Sequence, residues 1–415
     1  MTVRRYAAEF VFPGHPDKLG DAVADALVAE AGRRERRALC GVEVAVHRHS
    51  VFVTGRIACQ DAETIDVEAI VREVYRSAGY DAAWEPAPAD LRIETDLCLG
   101  PLEAGEAEFR RISDDQSIVI GYAAAIPGTN YLPPEQWLAQ RIGRRLRQLR
   151  TEQPSLRLGP DGKVFITLTA ENGNLRLSGL STSLQQRVDG PEIELQRAVW
   201  ALLKEELRAA AERIPGFVAD PPANITVNGA GNFSVGGPEG DNGLSGKKLV
   251  VDYYGPRVPI GGGAISGKDF FKPDRAGAIL ARRLAKAVVL TGVATECTAT
   301  LGFAPGAEQA TVLELATPTG TLDPRGWETL FDLSLIGTGE RYTNRSDLVE
   351  VARYGHFTDP RLPWEQLTFD AETETAAAGP AVALSSTDEY GNSGPPAKRQ
   401  RSGGAVFPRS GILSQ

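Results

Sequence analysis

Residues 42 to 58 (VEVAVHRHSVFVTGRIA) alternate apolar and polar positions on both sides of a polar turn, the period-two pattern of a strand pair. After them IDVEAIVREVYRSAGY spaces Ile65, Ile70 and Val74 as one face of a helix. The same order returns at residues 164 to 180 (VFITLTAENGNLRLSGL), where Asn172-Gly173 supplies a hairpin turn. PEIELQRAVWALLKEELRAAAERI follows, with Pro191 at a helix start. It returns again at TECTATLGFA and TVLELATPTG, with WETLFDLSLIG as the expected third helix. Three copies of a hairpin plus a helix predict an α+β fold: three similar domains around a pseudo-threefold axis, sheets inward and helices outside. The expected boundaries are an N-terminal α+β domain with part of the shared core (1–125), a central α+β domain (126–235) and a C-terminal α+β domain with glycine-rich phosphate loops (236–371). A tail, 372–415, follows; its Ala, Gly, Ser and Pro content predicts disorder from about residue 378.

Composition agrees with several domains, since 415 residues exceed one unit of about 150. A formal charge of −9 argues against a nucleic-acid coat protein, so any anion site must be a local exception. No apolar run is long enough to span a membrane. The four cysteines show no CxxC or zinc-like spacing and the first residues no apolar leader, which predicts a reducing, cytoplasmic setting. Lys398, Arg399 and Arg401 in the tail read either as a solvated segment or as a short import signal.

Candidate chemistry sits at two helix starts. His15-Pro16-Asp17-Lys18 precedes the helical spacing of Leu19, Val23 and Leu27, and Lys272-Pro273-Asp274-Arg275 precedes Ala276, Leu280, Leu284 and Val288. A helix N-terminus offers free N–H groups and a positive dipole end to anions. Each Asp is a hard oxygen donor suited to Mg²⁺, which binds through one or two carboxylates plus substrate phosphates. Residues 241 to 290 hold nine Lys or Arg against four Asp, and Lys247, Lys248, Lys268 and Lys272 fall among glycine-rich turns where backbone amides can approach phosphate oxygens. Neither turn is a GxxxxGK[ST] loop, and neither GxSxG nor HExxH occurs. His47 and His49 read either as metal ligands or as surface residues of a hairpin.

Together GHPDK (14–18), DDQSIVIGYA (114–123), PDGK (160–163), GGPEGDNGLSGKK (236–248) and GGGAISGKDFFKPDR (261–275) resemble the S-adenosylmethionine synthetase, or methionine adenosyltransferase, family. YGHF (354–357) and PWE (363–365) resemble its closing segment, and the likeness runs in order from about residue 9 to 370. The resemblance implies transfer of the adenosyl group of ATP to the sulfur of methionine, with release of pyrophosphate and phosphate. It implies a homodimer or dimer of dimers, with active sites between subunits. His15, Lys163 and Lys268 would be catalytic, with Lys247 and Lys248 also holding the triphosphate. Phe233 would stack on adenine, and Asp241 and Ala264 would complete the ATP site. Asp115, Asp241 and Lys272 would lie around the nucleoside and methionine, Asp17 and Asp274 would hold two Mg²⁺, and Glu43 would ligate K⁺.

The chain departs from the family at Arg56, where the resemblance implies a Glu that binds the methionine ammonium. A cation about 4 Å from that ammonium costs about 4 kcal/mol at an effective dielectric of about 20, unless Arg56 turns away. The gating loop is shortened and rebuilt (GPLEAGEAEFRRIS), and the Gln it carries in the family is missing. Asn232, Ile260, Lys247 and Pro305 also differ. A changed amino-acid pocket beside kept phosphate residues leaves two alternatives to a methionine adenosyltransferase: a paralogue acting on another thioether or other acceptor, and a weakly active regulatory subunit.

Overall fold

The computed structural model describes residues 3–367, so the tail expected from 372 lies outside the described residues. Three sheets carry the chain. The first joins β2 (Leu39–His47), β3 (Ser50–Ala58) and β4 (Arg92–Gly100) to β10 (Asn242–Leu244). The second joins β6 (Leu158–Glu171), β7 (Asn174–Gln186), β8 (Phe217–Val218) and β9 (Ile225–Val227) to β1 (Arg4–Val11). The third joins β11 (Glu296–Phe303), β12 (Thr311–Thr317) and β13 (Gly320–Thr321) to β5 (Ser117–Ala124). In each sheet one strand is borrowed from another third of the chain: β1 pairs with β6, β5 with β11, and β10 with β2, all antiparallel.

Each sheet is covered by one long helix that begins with proline. These are α1 (Pro16–Arg34) on β2 and β10, α4 (Pro134–Glu152) on β1 and β6, and α7 (Pro273–Leu290) on β5 and β11. Proline is favoured at the first helical position because its missing N–H would have no partner there. The expected hairpins are present, and so are the first two expected helices, α2 (Val67–Ala78) and α5 (Glu192–Ala211). Gly79 closes α2 in the left-handed conformation, and Asn172 and Gly173 turn the β6–β7 hairpin with positive φ.

The third expected helix is a correction. Over most of WETLFDLSLIG (327–337) the chain makes only a short 3₁₀ turn at Trp327–Thr329, and α8 starts at the segment's last three residues and runs on, Leu335–Tyr342. The cause is local. Asp332 Oδ1 accepts from Ser334 N at 2.9 Å, and Ser334 Oγ caps α8 by accepting from Gly337 N at 2.9 Å, so the helix starts at the serine. The remaining helices are α3 (Glu106–Phe109), α6 (Leu249–Asp252) and α9 (Leu348–Tyr354). Among the described residues no helix is long and apolar enough to cross a membrane, and all four cysteines are free.

The third sheet meets α7 at van der Waals distance through Gly121, where a Cβ would lie 2.0 Å from the backbone of Ala281. Gly121→Ala must push helix and sheet apart. A loss of about 1–3 kcal/mol, the usual cost of overpacking, is expected and is checked by thermal and urea unfolding against the parent chain.

Candidate active site

The site is built on α1. Asp17, Asp21 and Asp25 recur every four residues, so they share one helix face, and all three are buried. Each accepts a backbone N–H from a glycine-rich loop: Leu244 N to Asp17 Oδ1 at 3.0 Å, Gly246 N to Asp21 Oδ1 at 2.7 Å, and Gly267 N to Asp25 Oδ1 at 2.9 Å. Lys18 extends the row sideways. Its Nζ lies 3.0 Å from Asp21 Oδ2 and hydrogen-bonds Asp252 on α6, directly after Lys247 and Lys248. Arg275, on α7, pairs with Asp25. Burial pushes Asp25 up to about 6 against the pull of Arg275, and Asp252 up to about 7 against that of Lys18. Gly243 lets the loop touch the helix start, because a Cβ there would lie 2.2 Å from the Pro16 carbonyl carbon.

One group of expected residues gathers at this helix end. His15 is the N-cap of α1 and is buried, and its Nδ1 accepts from Asp17 N at 3.2 Å. Its other ring nitrogen therefore carries the proton of the neutral form. Burial, then the nearby Lys163 and Lys248, lower its pKa to about 3 despite Asp17 and Asp241. Lys248 Nζ stands 3.1 Å from Asp17 Oδ2, and Lys247 Nζ 3.7 Å from Oδ1. Lys163 projects from β6, next to the buried Asp161, whose Oδ2 accepts from Gly237 N at 2.8 Å and fixes the loop carrying Asp241. Burial pushes Asp161 up to about 6. Phe233 is half-buried and packs beside Gly236 at the entrance of the same loop.

A second group gathers at the start of α7. Asp274 pairs with Lys268 and accepts from Ser117 Oγ at 2.5 Å. These three line a cavity of about 770 Å³ with Asp115, Gly263, Phe303, Leu313 and others, a mixture of charged head and apolar wall. Lys272 pairs with Asp114, the neighbour of the expected Asp115. Ala264 is half-buried against Gly246, where the two glycine loops meet. No ion pair or side-chain hydrogen bond joins the first group to the second among the described residues.

Arg56 turns out to be neutralised. Its Nη2 donates to Glu106 Oε2 at 2.8 Å, its Nη1 lies 2.8 Å from Glu106 Oε1, and Glu103 Oε1 is 3.5 Å away. Both acids belong to the rebuilt loop. Arg56 opposes Gly41 across the sheet, and Lys272 Cε lies 4.0 Å from where a side chain on Gly41 would sit, so the pair borders the second group. Glu43 projects from the same open sheet face and is exposed.

Asp21, Asp25, Asp114, Ser117 and Asp161 were not singled out from the sequence. The four-residue recurrence of acids in PDKLGDAVADALV was a signal: carboxylates on a face of small and apolar residues are buried and need partners.

The donor set suits divalent ions. Asp17 and Asp274 each present hard oxygens beside lysines that can move to phosphate, and each lies at a helix start.

The chain matches the family models described as S-adenosylmethionine synthetase N-terminal domain over 4–95, central domain over 111–233 and C-terminal domain over 235–366. It is 32% identical over 403 residues to the S-adenosylmethionine synthase of Desulforudis audaxviator, covering 91% of this chain and 99% of that one. It is 33% identical to those of Thermosynechococcus vestitus, over 414 residues, and Zymomonas mobilis, over 393, each covering 90% of this chain and 98% of the relative.

An imidazole held neutral by burial should resist protonation. NMR titration of the ligand-free protein is expected to find the His15 ring uncharged from pH 8 down to about pH 4; a midpoint near the ordinary 6.5 would contradict the burial argument. The sign for stability follows. The unfolded chain takes up this proton below about pH 6.5 and the folded chain does not, so the group destabilises the fold increasingly as pH falls toward 3.

Proposed function

The chain belongs to the S-adenosylmethionine synthetase family and has its methionine adenosyltransferase activity, and from that premise we propose how its own residues carry the reaction. The observation that carries the proposal is the gathering of His15, Asp17, Lys247 and Lys248 at one helix N-terminus, pinned there by buried carboxylates. ATP enters with its tripolyphosphate against that end, where Lys163, Lys247 and Lys248 supply positive charge and the free N–H of His15 donates to a phosphate oxygen. Phe233 covers the adenine, and Asp241 and Ala264 border the nucleotide. Asp17 and Asp274 would hold Mg²⁺, which when bound neutralises charge on the leaving triphosphate; Glu43 would ligate K⁺.

The acceptor lies in the cavity of Asp115, Lys268 and Asp274, its thioether against the apolar wall. A thioether sulfur is already a nucleophile, so attack on C5′ needs no base, and none of the gathered side chains is asked to remove a proton. The C5′–O bond breaks as the S–C5′ bond forms. The charge that develops on the leaving oxygen meets the imidazole N–H and the lysines, the group for which these donors are preorganised. We further propose that the two residue groups come from different subunits of a homodimer, and that the protein is cytoplasmic with its thiols free. The lack of any ion pair or side-chain hydrogen bond between them among the described residues, and the half-exposed face of the first sheet, support a site completed by a second copy.

The salt bridge of Arg56 removes the reason to invoke another acceptor, because a guanidinium bound by Glu106 does not repel an ammonium as a bare one would. No finding favours a regulatory subunit.

Incubation with ATP, Mg²⁺, K⁺ and methionine should yield S-adenosylmethionine, pyrophosphate and phosphate; a folded sample that makes none overturns the proposal. Asp17→Asn and Asp274→Asn should each abolish most turnover. Co-expressed, the two variants should recover up to about a quarter of the parent activity, because half of the dimers are mixed and each mixed dimer keeps one intact site. No recovery would place both groups in one subunit.

Glu106→Gln tests the Arg56 pair separately. It frees the guanidinium toward the acceptor, so KM for methionine should rise roughly tenfold while KM for ATP holds, a shift of about 1.4 kcal/mol. An unchanged methionine KM would show that Arg56 faces away from the acceptor.

A further inference from the structure

Away from the catalytic groups, three side chains from distant segments meet beside the first phosphate loop. His49 lies in the β2–β3 turn, Glu85 in the loop after α2, and Glu239 at the end of a short 3₁₀ turn, Gly237–Glu239. One ligand atom from each lies within 4.8 Å of the other two. His49 Nδ1 and Glu239 Oε2 are 3.9 Å apart, and that carboxylate oxygen is closed to solvent yet has no hydrogen-bond partner. We propose that His49, Glu85 and Glu239 form a binding site for one divalent transition-metal ion, Zn²⁺ being the probe, that ties the phosphate loop to the hairpin turn.

The charges require a cation. Asp17 and Asp274 face lysines, whereas among the described residues neither Glu85 nor Glu239 has a Lys or Arg within ion-pair distance. Two carboxylates held together with only an imidazole between them repel, and a dication relieves that repulsion. The imidazole selects the ion. Zn²⁺ takes nitrogen and carboxylate ligands at about 2.0–2.2 Å in a tetrahedron, whereas Mg²⁺ prefers oxygen and water. Tetrahedral ligands at such lengths stand roughly 3.4 Å apart, so the 3.9 Å pair closes by small side-chain rotation, and a fourth position stays open to water.

The backbone around the cluster is already joined. Arg48 N donates to Pro238 O at 2.6 Å, and Asn242 pairs with His47 in the β10–β2 register. An ion at Glu239 would add a third tie, two residues before Asp241 and eight before Lys247, and so hold the loop at its entrance. The binding step does not depend on adenosyl transfer, and its test contains neither ATP nor methionine.

Full-length protein stripped of metal is titrated with Zn²⁺ by calorimetry in excess Mg²⁺, which occupies the all-oxygen sites. The expected result is one Zn²⁺ per chain, a raised Tm, and slower hydrogen exchange over residues 236–248. His49→Ala and Glu85→Gln should each weaken that binding roughly tenfold or more. Both residues are exposed or half-exposed, so the variants are expected to fold, and circular dichroism checks that they do. Binding unchanged in both folded variants, or no Zn²⁺ retained against Mg²⁺, overturns the proposal.

Discussion

Three carboxylates on one face of α1 hold two glycine-rich loops in place, and most of the candidate site depends on them. A glycine-rich loop has little side-chain packing to fix it, and its backbone loses more entropy on ordering than any other. Here the ordering comes from charge-assisted hydrogen bonds in a dry setting: Leu244 N to Asp17, Gly246 N to Asp21, Gly267 N to Asp25. The helix is rigid, so its repeat of four residues is transferred to two loops that are more than twenty residues apart in sequence. Lys18 and Arg275 keep the buried acids from becoming a column of repelling charge. The same arrangement explains why Gly243 is a glycine on the loop side, against Pro16, while Gly20 leaves room on the helix side, where Ser245 N approaches.

The fold was legible in the sequence to the extent that its signals are local. Period-two runs gave β2–β3 and β6–β7, and the Asn172-Gly173 turn gave a register. What periodicity could not supply was the borrowed strand of each sheet, since β1, β5 and β10 pair with segments more than a hundred residues away. That exchange shows the repeat to be larger than a hairpin plus a helix: a lent strand, a proline-started helix, then the hairpin. Asp17, Glu135 and Asp274 occupy the same second position of the three proline-started helices. Two of them face the glycine loops. Glu135 is buried against Arg257 instead, with Nε 2.8 Å away, so the central unit keeps the frame without the site. The third hairpin's helix was misjudged because Asp332 and Ser334 override the apolar spacing with local hydrogen bonds.

Motif residues were legible where chemistry dictates residue type, and supporting residues were not. His15, Asp17, Lys247 and Lys248 converge, as do Lys268 and Asp274. Arg56 was visible as an anomaly, but its meaning was not, because the partner Glu106 lies fifty residues on in a loop with no counterpart in the motifs. Asp114, the partner of Lys272, was missed for a similar reason: adjacent acids in an irregular segment give no periodicity from which to tell which one turns toward the lysine.

The two residue groups share one electrostatic design. Asp17 rests against Lys248, and Asp274 against Lys268, while His15 between lysines stays neutral. Lys248 and Lys268 are therefore desolvated in part, each with its charge balanced by a carboxylate. On the proposed reading a polyanion would not have to draw bare cations out of water; it would exchange with carboxylates for them and free those carboxylates for a divalent ion. A cationic histidine would upset that balance by adding charge that no resting partner offsets. Burial of the imidazole and the pairing of Lys248 and Lys268 are therefore two parts of a single constraint, that positive charge gathered at the two helix starts be offset within the protein.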